Sequence, residues 1–317
     1  RYERNVLSNP SFFEPFSQQQ IPEERDIQAK PVFRLGLNYK AAEYTFLRAS
    51  WGQGYRFPTI AEKFIQTQIT GGVDVVPNAD LTSETGWTTE IGIKQGFRIQ
   101  GFSGFIDASA FWSEYQDMME FGIVFRPPLS IAFQSRNVGD TRIRGLECSI
   151  GGRGAIGQIS TNVLAGYTYI DPRFKAFDLS GKDLSLNELA NATIGQLNAN
   201  GTSASFNILK YRFQHSLKLD IESTLKDWSL GLAVLYNSNM DAVDAIIQDD
   251  ERFIPGAAAF RAEHQGFTVV NLRTAYQITP KIKCSLLLNN ALNEVYSFRV
   301  GALDAPRNFS GRLDVSF

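Results

Sequence analysis

Along most of this chain apolar and polar residues alternate with a period of two. After Asp227, Trp228, Leu230, Leu232, Val234 and Tyr236 share one face, and Ser229, Gly231, Ala233 and Asn237 share the other. Val270, Leu272 and Tyr276 oppose Asn271, Arg273 and Gln277 in the same way. Ile282, Cys284, Leu286 and Leu288 oppose Lys283, Ser285 and Asn289, and Leu313, Val315 and Phe317 oppose Arg312, Asp314 and Ser316. Trp87, Ile91 and Ile93 oppose Thr88, Glu90 and Lys94, while Ile106, Ala108, Ala110 and Trp112 oppose Asp107, Ser109 and Ser113. This dyad is the mark of strands with one wet and one apolar face. It predicts strands near 1–7, 29–39, 43–56, 84–98, 102–125, 131–152, 155–170, 208–223, 226–239, 265–279, 281–292 and 306–317, about twelve in all. No long stretch keeps a helical period, although Ser185–Leu197 suits a short helix inside a loop.

The links between strands follow a rule of their own. Tight links at Lys40–Ala42, Gly96–Gly101, Gly151–Gly154, Thr224–Asp227 and around Pro280 alternate with long ones. The long ones are Ser8–Gln28, Phe57–Ser83, Arg126–Ser130, Asp171–Asn207, Met240–His264 and Asn293–Ala305. Arg126–Ser130 fits only if its flanking strands are cut back. An antiparallel barrel in an outer membrane keeps this rule, with tight periplasmic turns on one rim and long loops on the other. The parity puts Phe317 on the short-turn, periplasmic rim.

A soluble two-layer sandwich shares the alternation, so the faces decide. The polar face carries both signs of charge on most strands, as a hydrated lumen would. The apolar face places Trp51, Trp112 and Tyr236 at the loop rim and Trp228 and Tyr276 at the turn rim. Such aromatic girdles bracket the lipid-facing band of outer-membrane barrels. Composition narrows the choice. With 31 basic and 33 acidic residues, the net charge of -2 gives no basic excess for nucleic acid. Two Cys cannot form a disulfide framework, and two His leave little for metal or triad chemistry. No apolar run is long enough for a transmembrane helix. Arg1 opens on strand-like sequence with no signal peptide, so processing or truncation is expected to have removed the true start.

Four blocks then resemble TonB-dependent outer-membrane receptors. The first is Ser50-Trp51-Gly52-Gln53-Gly54-Tyr55-Arg56-Phe57-Pro58 followed by Glu62. The second is Asn78-Ala79-Asp80-Leu81-Thr82-Ser83-Glu84, leading into Glu90-Ile91-Gly92. Asn137-Val138-Gly139 with Ile143-Arg144-Gly145-Leu146-Glu147 forms the third. Leu288-Asn289-Asn290-Ala291-Leu292-Asn293-Glu294-Val295-Tyr296, with Pro306-Arg307-Asn308-Phe309 and terminal Phe317, forms the fourth. The resemblance implies a 22-stranded transmembrane β-barrel with an N-terminal plug. Residues 1–317 are therefore read as the C-terminal portion of an all-β barrel domain, the plug, the TonB-contacting segment and roughly ten strands lying outside it.

Individual residues were weighed against plain structural roles. Gly52 and Gly54 lack the third Gly of a phosphate loop, since Phe57 stands there, and no helix follows. They relax the strand where it leaves the membrane, and Arg56, Pro58 and Glu62 brace the loop base. His215 belongs by parity with Tyr211, Phe213 and Leu217 on the outer face, near the bilayer midline, and His264 lies at a loop base. Cys148 and Cys284 act as small hydrophobes on non-adjacent strands. Asp241, Asp244, Asp249, Asp250 and Glu251 make an acidic loop without calcium-loop spacing. The sequons at Asn191 and Asn200 carry no weight in a bacterial protein. Arg48, Glu90, Lys94, Asp107, Glu147, Arg273, Lys283, Arg312 and Asp314 are expected to pair inside the barrel, because unpaired buried charge is costly.

The resemblance implies a bacterial outer-membrane importer of a scarce bulky nutrient: an iron–siderophore complex, haem, a cobalamin or a glycan. Its partners would be outer-membrane lipid, the plug and N-terminal barrel half, the TonB energy-transducing complex and the small-molecule or glycan ligand. No catalytic residue, metal site or cofactor is expected. Loops 57–82, 171–207 and 240–264 are the expected ligand contacts, with Arg56, Phe64, Phe174, Phe177, Phe253 and His264 as contact residues. The rival readings are a passive channel complete with twelve strands, in which the first strand pairs with the last, a secreted or outer-membrane enzyme, and a barrel-anchored binding or assembly protein.

Overall fold

Each strand of the wall follows one plan: alternate side chains point to opposite faces, one apolar and one polar, while the backbone pairs sideways. The computed structural model describes residues 2–9, 11–14, 19–21, 24–68, 74–126, 130–175, 207–243, 256–299 and 302–316. The strands are β1 (Tyr2–Asn9), β2 (Phe12–Glu14), β3 (Gln19–Ile21), β4 (Glu24–Pro31), β5 (Arg34–Ala42) and β6 (Thr45–Arg56). A short helix α1 (Ile60–Phe64) precedes β7 (Thr67–Gln68), β8 (Asp74–Val75), β9 (Glu84–Ile99) and β10 (Phe102–Gln116). Then come β11 (Met119–Arg126), β12 (Ser130–Asn137), β13 (Thr141–Ile156), β14 (Ile159–Phe174), β15 (His215–Leu225) and β16 (Trp228–Ser238). Helix α2 (Ala257–Glu263) leads to β17 (Gly266–Thr279), β18 (Ile282–Asn289) and β19 (Asn308–Val315).

Eleven strands form one antiparallel sheet in the order β19-β18-β17-β16-β15-β14-β13-β10-β9-β6-β5. Omitting the strands that lie above it, this order follows the chain, as a barrel wall requires. Among the described residues, β5 and β19 each pair with a single neighbour, so first does not meet last. Two faces emerge as the dyad predicts. Ile91, Leu230 and Leu313 stand 64%, 62% and 64% exposed on one side, where lipid would cover them. Among the described residues no second sheet packs against them. Among the described residues the buried apolar groups, such as Leu81, Leu209 and Val243, lie in the loops and the small hairpin sheet, with Phe267 and Val269 at the loop end of β17. The sandwich alternative therefore fails.

Several boundaries differ from the sequence reading. The predicted strand 102–125 is two: β10 ends at Gln116, and β11 opens a hairpin with β12. This hairpin joins β8 and β7 in a separate four-stranded sheet above the wall. Asp117 (φ 52°) and Gly139 (φ 84°) turn the chain out of the wall and back, left-handed backbone that breaks the ladder. The hairpin, whose ladder runs out to the pair Arg126 and Ser130, thus belongs to one long link between β10 and β13, which restores the alternation of links. The tight link expected at Gly151–Gly154 lies instead at Gly157–Gln158, and those glycines are in-strand. A Cβ on Gly151 or Gly152 would meet the rings of Phe105 and Phe102 at 2.8 and 2.5 Å, so the glycines make room for aromatics from β10.

The predicted strand 29–39 breaks at Val32–Phe33, and β1 pairs with β4 alone, outside the wall. The strand predicted from 208 begins at His215, because Tyr211 (φ 60°) interrupts the extended run. His215 consequently occupies the loop end of β15 rather than the bilayer midline. The helix expected at Ser185–Leu197 and the terminal Phe317 lie outside the described residues.

Candidate functional site

The three loop blocks singled out in the sequence meet at one place above the wall. Thr59 caps α1 through a capping box: its hydroxyl accepts from the Glu62 amide at 3.2 Å, and Glu62 accepts from the Thr59 amide at 2.8 Å. Arg56, the last residue of β6, forms an ion pair with Glu62. The Ser135 hydroxyl donates to the same carboxylate at 3.3 Å, from β12 of the hairpin. Burial works to raise the Glu62 carboxyl, but the Thr59 bonds, the Arg56 charge and Ser135 outweigh it and hold it below its ordinary value.

Asn78 extends the joint. Its amide donates to the Glu62 carbonyl at 2.8 Å, and its side chain donates to the Ser135 carbonyl at 2.9 Å. Asn137 accepts from the Thr82 amide at 2.9 Å and donates to the Thr82 and Asp117 carbonyls at 3.1 and 2.7 Å. Glu84 accepts from the Met119 amide at 2.8 Å. Arg56, Glu62, Asn78, Glu84 and Asn137 thus stitch α1, the β8 segment and the hairpin into one platform at the mouth.

The fourth block builds a second joint. Asn290 is buried; its amide donates to Asn271 at 2.8 Å, and its side chain donates to the Glu294 carbonyl and accepts from the Glu294 amide, both at 2.8 Å. The loop held this way carries Tyr296 and Phe298 onto Phe267, with ring centroids 5.1 and 5.2 Å away. Phe213 joins edge-on to Phe267 at 5.7 Å. The sequence does not bring these four rings together, since Phe213 and Phe267 fall in two predicted strands, Tyr296 in a motif block and Phe298 in a long link.

Below the mouth, the inner face carries charge in cross-strand sets. Arg48 reaches Glu90 at 2.8 Å and Asp107 at 2.6 Å. Arg273 reaches Glu222 at 3.0 Å and takes both oxygens of Asp220 at 2.6 and 2.7 Å. Asp220 and Glu222 were missing from the expected set. Lys94 lies 4.0 Å from the centre of the Phe105 ring, and Arg312 pairs with Asp314 at 2.5 Å. Among the described residues no group of three or more His, Cys, Asp or Glu converges as a metal site.

The expected contact residues fall on separate segments. Phe64 ends α1. Phe174 ends β14, and its amide donates to Asn207 at 3.0 Å. His264 closes α2, its ring stacked on Phe260 at 4.2 Å and its Nδ1 2.9 Å from the Phe260 carbonyl. Phe177 and Phe253 lie outside the described residues, as does the acidic run after Asp241. His215 Nδ1 is 2.7 Å from the Tyr167 hydroxyl on the outer face.

The TonB dependent receptor-like β-barrel family matches residues 12–293. No curated protein matches in sequence. Among solved structures, the copper transporter OprC is similar at 16% identity and a TM-score of 0.63, over 100% of this chain and 44% of that one. The ferric-catecholate import receptor Fiu of Escherichia coli K12 is similar at 16% identity and TM-score 0.61, over 94% of this chain and 37% of that one. The hemophore receptor HasR of Serratia marcescens, solved with its hemophore HasA and heme, gives 16% identity and TM-score 0.58, over 100% and 47%. At these identities the likeness is one of fold. This chain spans less than half the length of each.

Proposed function

Because the chain belongs to the TonB-dependent receptor β-barrel family, we propose that it is the wall and outer mouth of a receptor that actively imports a scarce bulky nutrient across a bacterial outer membrane. The observation that carries this reading is a wall that, among the described residues, has eleven strands and unpaired edges at β5 and β19, with charge ladders along its inner face. A wall of this kind serves as one side of a larger, water-lined barrel. Solved structures of similar fold, described for copper, ferric catecholates and a hemophore with heme, support a metal, its chelate or a haem as the cargo; cobalamin and a glycan rest on the family resemblance alone.

In this reading the platform around Arg56 and Glu62 holds the mouth in shape. Phe64, Phe174, Phe177, Phe253 and His264, with Arg56 at the base, are the proposed ligand contacts, and an inner-membrane motor acting through TonB supplies the energy. A complete twelve-strand passive channel is disfavoured, since it needs the first and last strands to pair. The test is accumulation of ferric siderophores, haem, copper and vitamin B12 by cells carrying the full-length protein as sole receptor, with and without TonB. TonB-dependent uptake of one of these supports the import reading. Uptake unchanged without TonB, with ion conductance in planar bilayers, overturns it in favour of the channel.

A further inference from the structure

Several outer loops meet on one short segment. Residues 208–213 run above the wall just before β15, and Ile208, Leu209 and Lys210 are buried there. The segment is fixed to the wall at its start, where the Leu209 amide donates to the Pro172 carbonyl of β14 at 3.0 Å. On one side it grips the β11–β12 hairpin. Arg212 pairs with Glu120 at 2.6 Å, and the two side chains keep only 24% and 9% of their surface exposed. Lys210 Nζ lies 3.6 Å from the place a Cβ on Gly122 would take. On the other side the Tyr211 amide donates to the Ala242 carbonyl at 2.9 Å, in a stretch where Met240, Ala242 and Val243 are buried. Arg261 of α2 donates to the Met240 carbonyl at 2.9 Å, which ties in the helix. At the far end Phe213 meets Phe298 of the 290–307 loop edge-on, 6.4 Å between ring centres.

The backbone bends at Tyr211 to serve both sides. Its φ of 60° is left-handed, a conformation that a bulky residue keeps only where its surroundings impose it. Two bonds do so: the Tyr211 amide to Ala242, and the Arg212 guanidinium, which reaches back to the Lys210 carbonyl at 2.8 Å. That same guanidinium holds Glu120. One group therefore closes the bend and grips the hairpin, and a carboxylate as covered as Glu120 is costly to leave without its cation.

Elements that share a buried partner open together rather than singly. We propose that segment 208–213 is a strut that joins the β11–β12 hairpin, segment 240–243 with α2, and the 290–307 loop into one cooperative rim, with the Arg212–Glu120 pair as its link to the hairpin. The rim loosens and tightens as a unit, where unlinked loops would each move alone. A cargo seated against any one of these parts then orders the others without touching them. That consequence for capture rests on the import reading; the strut itself does not.

The test is hydrogen exchange read by mass spectrometry on the full-length protein in detergent micelles. It needs no cargo, so the strut and the import reading can fail separately. Arg212→Ala is expected to quicken exchange about tenfold or more in two places. One is the β11–β12 ladder; the other is the Asp304 amide, which donates to the Tyr296 carbonyl at 3.0 Å on the far side of the strut. Amides at Leu232 and Leu272, opposite each other in the middle of the wall, are expected to exchange as in the wild type, which reports that the wall is folded. Coupling is reciprocal, so Phe298→Ala is expected to quicken exchange across β11–β12 about threefold. Arg212→Lys keeps the cation and is expected to stay within about threefold of the wild type in both places. Quickening confined to β11–β12 in Arg212→Ala, or none at all, overturns the proposal, as does Phe298→Ala with an unchanged hairpin. Arg212→Lys as fast as Arg212→Ala overturns the ion pair as the link. Should Arg212→Ala not fold, Glu120→Gln, which keeps the shape and drops the charge, is read in its place against the same outcomes.

Discussion

Arg273 on β17 grips Asp220 on β15 with two parallel bonds of 2.7 and 2.6 Å, passing over the intervening strand β16. It can do so because Gly231 lies beneath it: a Cβ there would meet Arg273 Nε at 2.3 Å and Cγ at 2.4 Å. The same device recurs across β6, β9 and β10, where Arg48 crosses Gly92 to reach Asp107, and a Cβ on Gly92 would meet its guanidinium carbon at 2.7 Å. Each Arg thus ties three neighbouring strands into one unit.

Gly231→Ala is expected to displace the Arg273 arm and cost about 1 kcal/mol, because partly exposed ion pairs are screened. Arg273→Ala removes the same bonds, so the double variant is expected to cost little more than either single one. A double-mutant cycle of urea unfolding in vesicles checks this, and strict additivity would contradict it.

The Glu62 clamp carries a pH dependence of known sign. Its carboxyl is held below the ordinary value in the folded state. The stabilisation is therefore complete above the unfolded carboxyl's value of about 4.3 and is lost as pH falls through the lower folded value. Hydrogen exchange at the Glu62 amide is expected to stay slow from pH 7 to 5 and to quicken below pH 4. Glu62→Gln is expected to be fast throughout, weakening the joint by about 1–2 kcal/mol.

The outward band predicts a depth profile. Leu272 lies at the middle of β17 on the lipid face, and Trp228 pairs with Tyr276 at the turn rim, rings 4.8 Å apart. Leu272→Arg is expected to cost about 2–4 kcal/mol and Trp228→Arg about 0–1 kcal/mol of folding free energy. Equal costs in vesicle folding titrations would contradict a membrane-spanning wall.

Phe267 is the hub of the loop cluster, touching Phe213, Tyr296 and Phe298. Phe267→Ala is expected to cost about 3–5 kcal/mol and to free the 290–307 loop, seen as faster proteolysis there. Unchanged proteolysis would show that the loop is held by Asn290 alone.

The dyad in the sequence carried the wall, because outward and inward residues separate cleanly wherever one face meets lipid. Where a strand leaves that wall is harder to see. The apolar phase passes from even positions in β10 (Ile106, Ala110, Trp112) to odd ones in β11 (Met119, Phe121, Ile123), a reversal that a single predicted strand over 102–125 overlooks, and the left-handed residues at Asp117 and Gly139 mark the exit and the return. Gly151, Gly152 and Gly154 read as a turn because the Phe rings that fill their places come from another strand. Alternation with Leu219 and Ile221 does put Asp220 and Glu222 on the polar face; what a single strand cannot disclose is their partner, since Arg273 is brought opposite them by two successive registers, β15 with β16 and β16 with β17. The motif blocks did point to the mouth, yet what they build is a joint made largely of hydrogen bonds to backbone, which spacing alone does not disclose.

The hairpin of β11 and β12 shares no ladder with the wall; the wall's own pairing stops at Tyr115 and Thr141 and resumes down β13. A change of length between those points would be taken up by the hairpin, leaving the register of every stave as it was. Such insulation would let the rim change shape while the sheet beneath keeps its pairing.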